Sequence, residues 1–208
     1  MTDHESARSA QAGAAEAAIW QQRYRDGRTG WDRGGASPAL LRWLDAGSLP
    51  PPPARVLVPG CGRGHEVLEL ARRGYAVTAL DFAPAALDAL RGALAAAGLD
   101  AQLIQADVLG WQAPQPFDAI YEQTCLCALD PAQWPAYAAQ LAAWLRPGGQ
   151  LLALFMQTGR DGGPPFHCAL AQMHTLFPAA QWRWPAQAME VPHPGGGMEL
   201  GHVLQRQA

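Results

Sequence analysis

Apolar residues run in two rhythms along this chain, and the rhythms alternate. Arg55-Val56-Leu57-Val58 is a short apolar run with β-branched residues, and Tyr75–Leu80 is another. Between them, Glu66-Val67-Leu68-Glu69-Leu70-Ala71 has helical spacing. Pro84 to Ala97 is rich in Ala and Leu and stops at Gly98, which predicts a second helix. Further strands are expected at 101–105, 117–121 and 150–156. The last is apolar throughout, as a strand covered on both faces should be. A helix over 131–145 ends at Pro147-Gly148-Gly149, and a short one is expected near 169–177. Trp182–Val191 and Met198–Gln205 read as two final strands joined by the Pro192–Gly197 turn, an antiparallel hairpin. The pattern predicts an α/β protein with a doubly wound, mostly parallel, seven-stranded sheet and an antiparallel edge.

The N-terminal quarter has a different pattern. Residues 1–12 are small and polar and read as disordered. Ala14–Arg25 is helix-like, with Ile19, Trp20 and Tyr24 near one face. Gly27 and Gly30 break it, and Trp31-Asp32-Arg33-Gly34-Gly35 is a loop. Ser37 then caps a helix with Pro38 in its first turn. Leu49-Pro50-Pro51-Pro52-Pro53 reads as a stiff linker. The expectation is one domain over 1–208, with a helical lid at 13–48 and an α/β core at 54–208.

The chemistry concentrates where the first strand ends. Gly60, Gly62 and Gly64 are spaced G-x-G-x-G, and Asp81 ends the second strand. Such a strand–loop–helix–strand unit lets backbone approach a nucleotide, with an acid about 20 residues on for a ribose diol. The dinucleotide fingerprint keeps a third glycine one residue later, where this chain has His65. No P-loop lysine is present. The pattern suits a ligand with a ribose and no pyrophosphate, and S-adenosylmethionine leads that class. Ligands of doubly wound sheets bind outside the carboxyl ends of the strands. Gly60, Asp81, Asp107 and Gln123 all fall there.

Composition narrows the partners. The chain has 208 residues, 49% of them hydrophobic, with a net charge of −3. Neither a basic footprint for nucleic acid nor a polybasic run for an anionic membrane is present. No apolar stretch approaches a bilayer's thickness, and the N-terminus lacks the pattern of a secretory signal. A cytoplasmic location and a monomer acting on a small molecule are expected. The four cysteines, Cys61, Cys125, Cys127 and Cys168, match no zinc pattern, and the six histidines form no metal set.

In order, VLVPGCGRG, ALDF, QADV, FDAIYEQTCLCAL and LRPGGQLLAL resemble the class I S-adenosylmethionine-dependent methyltransferases, a Rossmann-like fold. Three features are similar to the thiopurine S-methyltransferase superfamily, and within it the thiol and halide methyltransferase branch. They are Trp20…Tyr24…Trp31-Asp32-Arg33-Gly34…Ser37-Pro38, then Pro59 and Cys61 inside the glycine loop, then Cys127-Ala128-Leu129 with Gly162-Gly163-Pro164-Pro165-Phe166. The resemblance covers roughly residues 18 to 205. It implies S-adenosylmethionine as cofactor and a small soft nucleophile (thiol, thiopurine, hydrosulfide, halide or chalcogen) as acceptor. An N- or O-methyltransferase, or a cofactor-binding module without turnover, is the alternative.

The resemblance also implies roles. Gly60, Cys61 and Gly62 face the methionine part of the cofactor, and Asp81 accepts from the ribose. Phe82 and Val108 cover the adenine, whose amino group donates to Asp107. Trp20, Tyr24 and Trp31 form an aromatic lid over the sulfonium. Gln123 borders the methyl-transfer region, where plant relatives of the halide branch have Tyr and the thiopurine enzymes Arg. Gln123, Cys125 and Phe166 are the candidates on the acceptor side, with no catalytic group assigned. Arg33 either pairs with the cofactor carboxylate or is a solvated loop charge.

Overall fold

The computed structural model describes residues 18–207. The stretch read as disordered, 1–12, and the first residues of the expected lid lie outside the described residues.

Helix α1 covers 18–25, followed by the loop 26–36. Helix α2 is Pro38–Asp45; the Ser37 side chain caps it by accepting from the Ala39 N–H at 3.3 Å. Then come β1 (Arg55–Pro59), α3 (His65–Arg72), β2 (Ala76–Asp81), α4 (Pro84–Ala97), β3 (Gln102–Gln105) and β4 (Phe117–Gln123). Two 3₁₀ turns, Leu126–Ala128 and Pro131–Gln133, lead into α5 (Trp134–Trp144). The chain ends with β5 (Leu145–Gln157), α6 (Leu170–Leu176), β6 (Trp182–Arg183), β7 (Met189–Pro192) and β8 (Met198–Arg206).

The sheet order is β3-β2-β1-β4-β5-β8-β6, with β7 also on β8. Strands β1 to β5 pair in parallel, and β8 runs antiparallel to β5. Where one strand was expected over 182–191, the structure has two short ones. Both pair with β8, β6 at Gln205–Arg206 and β7 at 198–201. Pro185 lies in the gap and has no N–H for a ladder. The sheet therefore holds eight strands, the last edge position being shared by β6 and β7.

Side-chain alternation on the central strands builds two cores, one per face. Val56, Val58, Ala119, Tyr121, Leu152 and Leu154 pack with Val67 and Leu70 of α3 and Leu87, Leu90 and Leu94 of α4. Leu57, Ile120, Leu151, Ala153 and Phe155 pack with Trp134, Tyr137, Leu141 and Trp144 of α5 and Met173 of α6. Leu40 and Trp43 of α2 and Leu49 of the Pro-rich segment belong to the first core. The expected lid is thus divided. Its second helix is core, and only 18–36 remains above the sheet edge.

Candidate active site

Strand β1 delivers the chain to a left-handed loop, with φ of 58° at Gly60, 53° at Gly62 and 72° at Gly64. Two of these glycines are also required by space. A Cβ at Gly60 would stand 2.9 Å from Cys125 Cβ and Sγ, so the segment after β4 is pressed onto the loop. A Cβ at Gly64 would stand 2.4 Å from Leu90 Cδ1. Close packing on α4 is therefore met by Gly64, leaving the next position free for His65. Its imidazole reaches the Asp32 carboxylate at 2.8 Å and ties down the loop after α1.

Asp81, 4% exposed, sits at the end of β2. One carboxylate oxygen accepts from the Gly62 N–H and the other from the Ala83 N–H, each at 2.9 Å. Burial pushes its carboxyl above the ordinary range, and these N–H bonds work against that rise. Phe82 is half-buried beside it, and Val108 is buried. Asp107 is exposed and caps the turn after β3: its side chain accepts from the Leu109 N–H at 2.9 Å. One of its two oxygens is thus committed to that turn.

Above the loop, Trp20 and Tyr24 meet Trp31 edge to face, at centroid distances of 5.1 and 5.8 Å. A Cβ on Gly62 would stand 2.9 Å from the Tyr24 hydroxyl, which places that group directly over the glycine loop. Burial, then the charge of Asp81, pushes the Tyr24 phenol far up, so it stays protonated. The roof is pinned at several points. Gln21 accepts from the Ala85 N–H at 3.0 Å, at the start of α4. Asp32 accepts from the Gly34 N–H and pairs with His65 and with Arg63. Burial would raise the Asp32 carboxyl, but these partners outweigh it and hold it below the ordinary range.

Between loop and roof lies a cavity of ≈ 60 Å³. Of the residues given roles in the sequence, Trp31, Arg33, Gly60, Cys61, Gly62 and Gln123 line it. Asp81 and Tyr24 adjoin it through Gly62. Trp20 backs Trp31, and Phe82, Asp107 and Val108 follow β2 and β3 along the same carboxyl edge of the sheet. Thr124, in the lining, has a φ of 60°, a strained conformation for a β-branched residue.

The acceptor-side candidates do not stay together. Cys125 is 8% exposed beneath Gly60, and burial pushes its thiol well up. Phe166 lines a separate cavity of ≈ 520 Å³ with Trp134, Arg160 and His167. Its N–H donates to the Cys127 carbonyl at 2.7 Å, which fixes the backbone on that side. Phe155 and Met156 are wholly buried in the core, not in either cavity. Gln123 remains, but its amide is committed. Its oxygen accepts from the Tyr121 hydroxyl at 2.7 Å, and its nitrogen donates to Glu199 at 3.0 and 3.2 Å.

Glu199 is the group that sequence reasoning missed. It is fully buried, and it receives Arg33 Nη2 at 2.7 Å as well as Gln123. Burial raises its carboxyl, while the charge of Arg33 opposes. Arg33 is therefore not a solvated loop charge. The available signal was a carboxylate beside the apolar positions of β8, a residue type that is rarely buried unpaired. Among the described residues no group of His, Cys, Asp and Glu side chains is placed to hold a metal, and no helix is long and apolar enough to cross a membrane.

The family model described as thiopurine S-methyltransferase matches residues 15–191. The chain is 34% identical to thiocyanate methyltransferase 1 of Brassica oleracea over 155 residues, 73% of this chain and 68% of that protein. It is 32% identical to the thiopurine S-methyltransferase of Pseudomonas putida (strain GB-1) over 171 residues, 73% of this chain and 77% of that one. Among solved structures, the Burkholderia thailandensis 1,6-didemethyltoxoflavin-N1-methyltransferase, with 1,6-didemethyltoxoflavin and S-adenosylhomocysteine bound, superposes with a TM-score of 0.75. The identity is 22%, over 100% of this chain and 92% of that chain. A structure from work on the conversion of a disulfide bond into a thioacetal group in echinomycin biosynthesis also gives 0.75, at 24% identity over 92% of each chain. At these identities the structural likeness establishes the fold, which is that of class I methyltransferases.

Proposed function

Because the chain belongs to the thiopurine S-methyltransferase family, we propose that it moves the methyl group of S-adenosylmethionine onto a small soft sulfur nucleophile. It is an S-adenosylmethionine-dependent methyltransferase by family; the assignment of residues to steps is our reading. One observation carries it: a glycine loop, a buried acid bonded to that loop, and an aromatic roof enclose one cavity at the carboxyl edge of the sheet.

The residues fit this cofactor. Each Asp81 oxygen uses one lone pair on a backbone N–H and keeps another for a ribose hydroxyl. No side chain projects from Gly60 or Gly62 into the space below the roof. When bound, the cofactor supplies a methyl group already activated by its sulfonium. Trp31, in the cavity lining with Trp20 behind it, offers an aromatic face to a cation, an attraction of roughly 0.5–2 kcal/mol. The roof, pinned through Asp32 and Arg33, keeps water from the nucleophile. What remains for the protein is orientation, because an anionic sulfur acceptor arrives without a proton to remove.

The reading extends to a cytoplasmic monomer with no nucleic-acid partner; the net charge of −3 supports it. It also takes the roof and the α/β body as one domain, since α2 and the sheet share a core. Calorimetric titration with S-adenosylmethionine tests the cofactor. A panel of hydrosulfide, thiocyanate, an aromatic thiol and a catechol, read by release of S-adenosylhomocysteine, tests the acceptor. Turnover with sulfur species and little with catechol is expected. A catechol preferred over every sulfur acceptor would overturn the reading.

A further inference from the structure

A single carboxylate, Glu199 on β8, joins three parts of the molecule. It accepts from Arg33 in the roof and from Gln123 at the end of β4, while Gln123 is braced in turn by Tyr121. Arg33, Tyr121 and Gln123 all line the cavity. Such a buried, triply contacted carboxylate fixes the guanidinium in one place, because breaking the pair would leave a charge buried alone. Yet the guanidinium is not used up. Its Nε is buried and has no hydrogen-bond partner among the described residues.

A second unused donor lies in the turn between β7 and β8. This turn packs on the roof, so that a Cβ at Gly195 would stand 3.3 Å from the Gly30 carbonyl oxygen. In that turn His193, 8% exposed, accepts from the Gly195 N–H at Nδ1, at 3.1 Å. Its proton is therefore on Nε2, and this atom too is buried without a partner. Burial, then the charge of Arg33, pushes the imidazole down to about 4, so it is neutral at physiological pH. Two buried donors, one of them on a cation, are each left unmatched. Leaving such groups unmatched is costly.

We infer that Glu199 is a positioning residue that holds Arg33 so that its unpartnered Nε–H receives an anionic group of the bound ligands. The inference rests on the proposed methyl transfer, which puts two anions within reach of this cavity: the carboxylate of the cofactor's amino-acid tail and the anionic sulfur of the acceptor. Gln123, tied to Glu199 and Tyr121, acts as a strut and makes no ligand contact of its own.

The experiment measures affinities of S-adenosylhomocysteine and methylthioadenosine by calorimetry, and KM for hydrosulfide, in the parent protein and in Arg33→Gln and Glu199→Gln. Methylthioadenosine has the nucleoside and the sulfur but no carboxylate. Arg33→Gln should weaken S-adenosylhomocysteine, or raise the hydrosulfide KM, by about tenfold or more, the usual worth of a charge-assisted bond. Methylthioadenosine should change by less than about threefold, and its retained binding shows that the variant is folded. Glu199→Gln should move the same quantity in the same direction, since the guanidinium loses its anchor. A loss confined to S-adenosylhomocysteine identifies the anion as the cofactor's tail; a loss confined to the hydrosulfide KM identifies the acceptor. Equal loss for all ligands, or loss for none, overturns the inference. Failure of the parent protein to bind either nucleoside would instead overturn the proposed function.

Discussion

Asp81 and Glu122 are both buried carboxyls, and they call for opposite treatments. Asp81 accepts two backbone N–H bonds, from Gly62 and Ala83. In Asp81→Asn, one acceptor becomes an N–H₂ that must face an N–H. The variant should lose at least about tenfold in S-adenosylmethionine affinity, and the glycine loop should loosen with it. Affinity unchanged in calorimetry would remove Asp81 from the site. Glu122 has one oxygen on the Leu126 N–H at 2.7 Å and the other unpartnered. Burial, then the charge of Glu199, pushes its carboxyl up from 4.5 to about 7. The folded protein therefore holds a proton that the unfolded chain has released, and stability falls as pH rises from about 4.5 to about 7. The span corresponds to roughly 3 kcal/mol. Glu122→Gln keeps the acceptor for Leu126 and cannot ionise. Its melting temperature relative to the parent should climb between pH 5 and pH 7.5, then level off. A difference constant across that range would show that Glu122 does not titrate there.

At the scale of elements, local chemistry and tertiary pairing divide the work. Helix α4 occupies the expected Pro84–Ala97, because Pro84 in its first turn and left-handed Gly98 after it are local stops. Strand β5 begins at Leu145, well before the expected Gln150. The segment after α5 pairs with Phe117 across a register shift, and that pairing is not written in Pro147-Gly148-Gly149. The roof shows the same division. Its aromatic spacing and breaker glycines are legible, whereas its tethers to His65, Ala85 and Glu199 are not. Those tethers already hold the roof in place, so residues 26–36 should show partial amide protection before cofactor is added. His65→Ala removes the Asp32 link. It should speed hydrogen exchange across 30–35 severalfold while leaving α4 unchanged, and added cofactor should restore most of the difference. Exchange at 30–35 that matches the parent would mean the Asp32–His65 contact contributes nothing to closure.

For the whole molecule, the question is whether the protein supplies a base. The cysteines are buried, and their thiols are pushed up, Cys168 to about 12. His193 is pushed down to about 4, and Glu122 lies outside the cavity lining. The rate should therefore rise with the ionisation of whichever thiol is the acceptor, and its midpoint should shift when the thiol is changed. The measurement is kcat/KM against pH for two thiols of well-separated acidity. A midpoint near 7 that stays put for both would mean an enzyme group, with Glu122 as the candidate.

The sequence by itself determined the βαβ unit, the glycine loop, the acid that ends β2, the two-faced burial of the strand at 150–156 and the class of ligand. Each depends on residues close together in the chain: periodicity, caps, and the requirement that Gly60 and Gly64 adopt left-handed backbone. Only the tertiary structure decided what stands across the cavity. Glu199 lies 76 residues from Gln123 and 166 from Arg33, and meets them because β8 pairs antiparallel with β5 and carries that position to the carboxyl edge of the sheet. Phe166 left the cavity for the same kind of reason, since its backbone is held by Cys127. Contacts between distant segments are set by sheet order and register, and those emerge only when all strands choose partners together.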